Sequence, residues 1–210
     1  MPYRRTPRVQ ARMDDQRAAI LQAAIDLVAE QGYAGCSMAA VAARAGIATG
    51  TMYKHFTSKT ELAVELFRRV CGHEVDAVAQ AAAQPGDLVQ RIVAVVETFT
   101  SRALKSPRLA YALLVEPVDP AVDQERLVFR RAFRDIAAER IAEAVATGVL
   151  PPQNAEITAA ALIGALGEIL VGPLAAGAQI DEERVDAVPD SLPELIAFTL
   201  RALGGSDAHS

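Results

Sequence analysis

Apolar residues recur every three or four positions along most of this 210-residue chain, and glycines and prolines interrupt the recurrence at intervals. This spacing places apolar side chains on one face of an α-helix, whereas a half-buried strand alternates with a period of two. No segment shows convincing strand alternation, and the frequent alanines favour helix. The sequence therefore predicts an all-α protein with about nine helices. The predicted helices cover residues 14–31, 38–45, 48–55, 59–80, 87–105, 107–116, 121–147, 154–176 and 190–203.

Basic and acidic residues are distributed unevenly along the chain, whose formal net charge is −5. Residues 1–60 contain eight Lys and Arg against four Asp and Glu, whereas the other 150 residues contain thirteen against twenty-two. A basic segment on an acidic body indicates a polyanionic partner at the N-terminal end. The alternative is that the uneven charge only affects solubility.

The sequence lacks the signatures of catalysis and of metal binding. Cys36 and Cys71 are far apart and the three histidines are scattered, so no metal-ligand spacing is present. There is no nucleophile motif and no phosphate-binding glycine loop. We therefore expect no enzymatic activity, no cofactor and no metal. Because no apolar stretch follows the basic N-terminus, we expect no signal peptide. We therefore expect a cytoplasmic location, in which Cys36 and Cys71 are two ordinary thiols.

Residues 157–180 form an apolar segment of 24 residues with a single charge, that of Glu168. Its length alone meets the requirement for a membrane-spanning helix. Glu168 and Pro173 near its middle, its many small residues and the absence of flanking Lys or Arg clusters argue against a membrane. We interpret it as a helix buried in a protein interface, and we expect no membrane partner.

Two short predicted helices, 38–45 and 48–55, are separated by the turn Gly46-Ile47-Ala48. This arrangement describes a helix-turn-helix, in which small residues on the first helix permit a close crossing. Thr49, Gly50, Tyr53 and Lys54 share the outer side of the second helix, a face that fits a DNA major groove. Helical hairpins with a glycine turn also occur in ordinary helical proteins, which is the alternative interpretation.

Residues 38–62, MAAVAARAGIATGTMYKHFTSKTEL, closely resemble the signature of the TetR family of bacterial regulators. The pattern is long and specific, and the resemblance covers about residues 14–65. The remaining two-thirds of the chain is similar only in the number and arrangement of helices. The resemblance implies a homodimer that binds a double-stranded DNA operator with two half-sites under the control of a small-molecule effector.

The resemblance also implies which side chains contact DNA. The expected set is Ser37, Thr49, Gly50, Thr51, Tyr53, Lys54, His55 and Lys59. Tyr53 and Lys59 would bind phosphates, and Lys59 begins a helix whose N-terminus adds to the attraction. Thr49, Lys54 and His55 would read base edges. Packing of His55 beside its neighbour Phe56 is the alternative for that residue.

Two positions depart from the family pattern. Ala48 stands where a serine often caps the reading helix, and Ala39 stands where an arginine sometimes reads a base. We therefore expect strong backbone positioning and modest direct base readout. The basic residues of 1–12, predicted to be a flexible arm, could compensate by entering the adjacent minor groove. The alternative is a solvated arm without a role in binding. The arm carries Arg4, Arg5, Arg8 and Arg12.

The rest of the chain is expected to dimerise and to bind the effector. Helices 154–176 and 190–203 are the predicted dimer helices, which would form a four-helix bundle across a two-fold axis. The side chains expected at this interface are Ala159, Leu162, Ile163, Leu166, Gly167, Leu170, Leu192, Leu195, Ile196, Thr199, Leu200 and Leu203. The candidate ligand-binding residues are Phe99, Arg102, Tyr111, Leu114, Phe129, Phe133 and Ile163, each with ordinary core packing or a surface salt bridge as its alternative.

These patterns predict a DNA-binding helix-turn-helix domain at 1–62 and a helical effector-binding and dimerisation domain at 63–210. The predicted function is a ligand-responsive transcriptional regulator, a repressor released from a palindromic operator by a small molecule. One alternative is a helical DNA-binding protein controlled by a protein partner. The other is a helical enzyme whose N-terminal hairpin is purely structural.

Overall fold

The computed structural model describes residues 7–178 and 191–204. Within these ranges it contains nine helices and no strand, which confirms the predicted fold class. In chain order the helices are α1 (Pro7–Gly35), α2 (Met38–Arg44), α3 (Thr49–Met52), α4 (Lys59–Ala82), α5 (Leu88–Lys105), α6 (Pro107–Leu114), α7 (Pro120–Ala146), α8 (Ala155–Ala178) and α9 (Ser191–Ala202).

Side-chain caps fix the start of several helices. Ser37 and Ser58 accept hydrogen bonds from the backbone N–H groups three residues further on, at 3.1 and 3.0 Å. Asp87 and Gln90 form a reciprocal capping box at the start of α5. Such caps satisfy backbone donors that have no partner inside the helix.

Gly32 interrupts α1. Its backbone angles, φ 69° and ψ −177°, lie in a region that is essentially restricted to glycine. Tyr33 and the residues up to Gly35 form one further turn beyond this break. The chain then turns directly into α2, so the break sets the direction in which the helix-turn-helix leaves α1.

The predicted flexible arm is wrong for residues 7–12. These residues form the first turns of α1, which begins at Pro7 instead of Asp14. Proline is tolerated at a helix start, because the N–H group that it lacks has no partner inside the helix. Arg8 and Arg12 are therefore exposed side chains of a helix. Arg4 and Arg5 lie outside the described residues.

The cores of the two halves meet along α4. Its first half contributes Leu62 and Leu66 to a core formed with α1, α2, α6 and the start of α7. Its second half contributes Val78 and Ala82 to a core formed with α5 and α7. The predicted domain boundary at residue 62 lies within this unbroken helix and stays a prediction.

Helix α8 is apolar on most sides but only partly covered. It is 24 residues long with a mean hydropathy of 1.8 over its most apolar stretch, of which 28% is buried. Among the described residues it is the one helix whose length and composition would allow a membrane crossing. Glu168 is exposed near its middle. The sequence also predicts a solvated charge cluster after this helix, at Asp181, Glu182, Glu183 and Arg184, which lies outside the described residues.

Candidate nucleic-acid interface and ligand cavity

Helices α2 and α3 form the predicted helix-turn-helix. Gly46 adopts a positive φ of 67° in the turn, and the N–H of Ile47 donates to the carbonyl of Ala42 at 3.0 Å. The second helix is shorter than predicted, because α3 comprises Thr49–Met52 and is followed by a hydrogen-bonded turn. The reading segment, residues 49–56, is therefore one helical turn followed by a hydrogen-bonded turn.

The reading segment has one buried and one exposed side. Met52 and Phe56 are fully buried, each with 0% exposure. Thr49, Gly50, Tyr53 and Lys54 are exposed, and Tyr53 retains 51% of its surface. This division confirms the faces assigned from sequence spacing. An exposed phenol, an ammonium and a hydroxyl on one convex surface can donate hydrogen bonds to phosphates and base edges.

Arg17 on α1 holds this segment in place. Its guanidinium donates to the carbonyl of His55 and lies 4.1 Å from the centre of the Phe56 ring. It also forms an ion pair with Glu65 of α4 at 2.8 Å. Arg17 thereby links α1, the reading segment and α4. Sequence reasoning counted it only as a positive charge, since nothing in the local pattern indicates these long-range partners.

His55 does not lie on the exposed face. The side chain is buried, with 9% exposure, and its Nε2 is 2.9 Å from the amide oxygen of Gln16 on α1. Burial and the nearby charges of Arg17 and Lys54 lower the pKa of His55, which favours the neutral ring. The structure thus favours the packing alternative over a base-reading role for this residue.

The remaining predicted DNA contacts surround the exposed face. Ser37 is exposed while its hydroxyl caps α2, and Thr51 is half-buried. Lys59 is exposed at the start of α4, and its Nζ donates to the carbonyl of Tyr33 at 3.3 Å. Ala48, the N-cap residue of α3, makes no side-chain cap hydrogen bond. The departure from the family pattern at Ala48 therefore leaves the start of α3 without a hydrogen bond from its N-cap side chain.

A cavity of about 290 Å³ lies between α4, α5, α6 and α7. This volume is near the lower end of the range for small-molecule sites, roughly 300–1,000 Å³. Its apolar walls include Val70 and Phe99, together with Leu109, Leu113 and Phe133. The structure therefore contains a mostly apolar site that is large enough for a small ligand.

Four predicted ligand-binding residues line this cavity, namely Phe99, Arg102, Leu114 and Phe133. The structure does not bring the other three to it. Phe129 packs against Phe67 at 5.7 Å between ring centres, Ile163 joins the core beside α5, and Tyr111 is half-buried elsewhere on α6. Sequence analysis named no ligand-binding residue on α4, because the linear pattern does not show that Val70, Cys71 and Glu74 face α5 and α6.

The cavity contains one cysteine. Cys71 on α4 lines its wall, and burial raises the pKa of this thiol to about 12. Burial also raises the pKa of Cys36, which lies in the core of the N-terminal half. Both thiols are therefore protonated at neutral pH, as expected of ordinary buried cysteines.

The outer surfaces of α8 and α9 carry exposed apolar side chains. Ile157, Ile169 and Phe198 retain 68%, 41% and 38% of their surface. The side chains that sequence reasoning placed in the interface lie mainly on the opposite face, within the chain's own core. Those buried are Ala159, Leu162, Leu166, Leu170, Leu195, Thr199 and Leu203. Seven of the twelve side chains predicted for the interface are thus buried within the chain itself, and the interface stays a prediction.

Residues 20–66 match the family pattern described as bacterial regulatory proteins, tetR family. The chain is 36% identical over 86 residues to the HTH-type transcriptional activator FasR of Mycolicibacterium smegmatis, covering 41% of this chain and 39% of that protein. It is 24% identical over 117 residues to the fatty acid metabolism regulator protein of Bacillus subtilis, covering 56% and 58%. The alignments thus span less than two thirds of either relative.

The structure of the transcriptional regulator FadR from Bacillus subtilis, in complex with stearoyl-CoA, superimposes with a TM-score of 0.71. The match covers 90% of this chain and 98% of that one, at 19% identity, and so concerns the fold. The fold and the exposed reading segment define a helix-turn-helix protein with a larger helical body. Over residues 20–66 the chain is similar to the TetR family of bacterial regulatory proteins.

Proposed function

We propose that the chain is a ligand-responsive transcriptional regulator that binds double-stranded operator DNA as a homodimer in the cytoplasm. The exposed face of α3 would enter the major groove, with Lys54 and Thr49 at base edges. Tyr53 and Lys59 would contact the phosphates on either side. His55 is left out of this contact set because it is buried against α1.

The observation that carries this proposal is the path of α4. The helix begins at Lys59, beside the DNA-facing surface, and supplies Val70, Cys71 and Glu74 to the cavity wall. Val70 lies 11 residues after Lys59, which corresponds to about 16 Å along a helix. One rigid element therefore touches both the proposed DNA surface and the proposed effector site, so a ligand that shifts α4 would move the DNA contacts.

The homodimer is proposed to form through the outer faces of α8 and α9. Exposed Ile157, Ile169 and Phe198 would be removed from water there. Gly164 and Gly167 have open space where a Cβ would stand, which permits a close helix crossing. A two-fold axis would place two reading segments on successive half-sites of a palindrome. Coverage by a second copy also accounts for the apolar α8 without a membrane.

The proposed effector carries an apolar chain. Eight of the thirteen residues that line the cavity are Ala, Val, Leu or Phe, and a chain of methylene groups gains roughly 0.8 kcal/mol for each one buried. The names of the similar proteins agree with this class: one is a fatty acid metabolism regulator, and one was solved with stearoyl-CoA. Binding would release the chain from its operator, so the proposed mode of action is repression.

Control by a protein partner is the second candidate, and it would leave the cavity without a ligand. An enzyme with a structural N-terminal hairpin is not favoured, because residues 20–66 match a family of regulatory proteins and the relatives named above are regulators. Effector-dependent DNA binding separates the first two candidates. A reporter gene placed under the operator measures the direction of control, since loss of a repressor raises expression.

The test is selection of binding sites from random double-stranded DNA at low salt, followed by titration of the recovered site. We expect a palindrome with two half-sites and a Lys54→Ala variant that binds it more weakly. Arg131→Ala removes an exposed cation of α7 and is the matched control, which should bind like the unmodified chain. Recovery of no enriched sequence, with no DNA affinity at low salt, would contradict the proposal.

A further inference from the structure

An ion pair borders the cavity where it meets solvent. Arg102 of α5 holds Glu74 of α4 through two bonds, Nε to Oε2 at 2.5 Å and Nη2 to Oε1 at 2.9 Å. Both residues line the cavity, and their side chains retain 43% and 29% of their surface. The planar guanidinium therefore presents a carboxylate-binding fork at the cavity mouth, and the carboxylate that occupies it belongs to the protein itself.

The charge around this mouth is not balanced. Lys105 also lines the cavity, and it forms no ion pair with any residue in 7–178 or 191–204. The lining thus contains two cations and one carboxylate, with an apolar interior behind them. A ligand that matches this arrangement has an apolar chain and an anionic end.

We propose that an oxyanion head group binds Arg102 by displacing Glu74, so that the cavity selects anionic amphiphiles over neutral ones. The inference rests on the proposed effector site and adds the head-group chemistry and the residues that select it. No bond is made or broken covalently. The ligand's oxygens accept the two hydrogen bonds that Glu74 now accepts, while its chain enters the apolar interior.

The exchange is favourable because the existing pair is weak. Partly exposed ion pairs contribute little, and Glu74 would regain water when it is released. The incoming anion makes equivalent charge-assisted hydrogen bonds and in addition buries its apolar chain. The exchange also removes this ion pair between α4 and α5, and α4 is the helix that begins at Lys59. Head-group recognition is thereby coupled to the DNA-facing surface.

The test compares decanoate with 1-decanol by isothermal titration calorimetry on the full chain. We expect decanoate to bind at least about tenfold more tightly, since hydrogen bonds to a charged group are worth that much or more. Arg102→Gln should abolish the preference. Glu74→Gln should tighten decanoate binding several-fold, because the internal competitor loses its charge, and leave decanol unchanged. Equal affinities for the two probes, or a Glu74→Gln variant that binds decanoate no better, would overturn the proposal.

Glu143→Gln is the matched control, because Glu143 forms an ion pair with Arg140 at 2.8 Å but does not line the cavity. It should change neither affinity. Decanoyl-CoA distinguishes the two sources of the oxyanion, a carboxylate and a phosphate. If it binds more tightly than decanoate and the Arg102→Gln variant loses this binding, the phosphates are the groups that bind Arg102. Binding of no probe overturns the inference, whereas the proposed DNA-binding function fails only if the unmodified chain selects no operator.

Discussion

The carboxylate of Glu116 accepts a hydrogen bond from the backbone N–H of Tyr33, with 3.2 Å between the nitrogen and Oε2. Glu116 follows α6, which lines the cavity, and Tyr33 follows the break in α1 at Gly32. A Cβ placed on Gly32 would lie 3.0 Å from the same Oε2. The contact therefore joins the helical body to the point where the helix-turn-helix departs from α1.

Gly32→Ala should lower the free energy of unfolding by about 2 kcal/mol or more. The backbone region occupied by Gly32 costs a residue with a side chain roughly 1–3 kcal/mol, and the new methyl group would crowd Glu116. Urea unfolding followed by circular dichroism measures the change. Gly72→Ala in α4, where a Cβ meets open space, is the control and should be neutral or stabilising. A Gly32→Ala chain as stable as the unmodified one would contradict the positive φ assigned to Gly32.

Ala48→Ser should stabilise the chain by about 0.5–1 kcal/mol. Ala48 occupies the N-cap position of α3 with an extended backbone and no side-chain bond, and serine there would accept a hydrogen bond from the first turn. Thermal and urea unfolding measure the gain. Ala43→Ser, at an exposed position inside α2, controls for the hydroxyl itself and should be slightly destabilising. A destabilised Ala48→Ser variant would argue against the missing cap.

Tyr53→Phe should weaken DNA binding several-fold without changing its salt dependence. The variant removes a neutral phosphate-binding hydroxyl, worth about 0.5–1.5 kcal/mol, from an exposed ring and removes no charge. Lys59→Ala should differ, because each lost phosphate contact of a cation flattens the salt dependence by about 0.9 in the logarithmic slope. Fluorescence anisotropy at several salt concentrations separates the two outcomes. A flatter slope for Tyr53→Phe would be inconsistent with a neutral contact.

Phe198→Glu should convert the proposed dimer into a monomer. A charge would replace a partly exposed aromatic at the centre of the outer face of α9, and central aromatics commonly contribute about 2 kcal/mol or more to an interface. Analytical ultracentrifugation measures the state. Leu127→Glu is the matched control, since Leu127 is 57% exposed on α7, a helix that is not part of the proposed interface. A dimer that is lost in Leu127→Glu and kept in Phe198→Glu would relocate the interface.

The Cys71 thiol should make the stability fall at alkaline pH. Because burial raises its pKa from 9.0 to about 12, the unfolded chain ionises first and binds fewer protons between these values. Stability contributed by the protonated thiol is therefore complete below pH 9 and is lost as the pH rises toward 12. The difference in unfolding free energy between the unmodified chain and Cys71→Ala should shrink across this window. A pH-independent difference would be inconsistent with a buried, protonated thiol.

Local sequence signals determined the number of helices, most of their ends and the two faces of the reading segment. The caps at Ser37 and Ser58 and the break at Gly32 depend on residues within one turn of the chain, so the pattern alone identifies them. The division between buried Met52 and exposed Tyr53 likewise follows from helical periodicity. These features are short-range, and tertiary packing did not alter them.

Tertiary packing decided the features whose partners are distant in sequence. The sequence could not assign the outer face of α8, because an all-round apolar helix has no periodicity to indicate which side meets its own core. The burial of His55 depends on Gln16, 39 positions earlier, and the cavity wall depends on how α4 packs against α5 and α6. The ion pair between Arg102 and Glu74 could not be predicted either, since the linear sequence does not show which opposite charge each residue meets. Helical propensity is a local property, whereas a site is defined by contacts between helices.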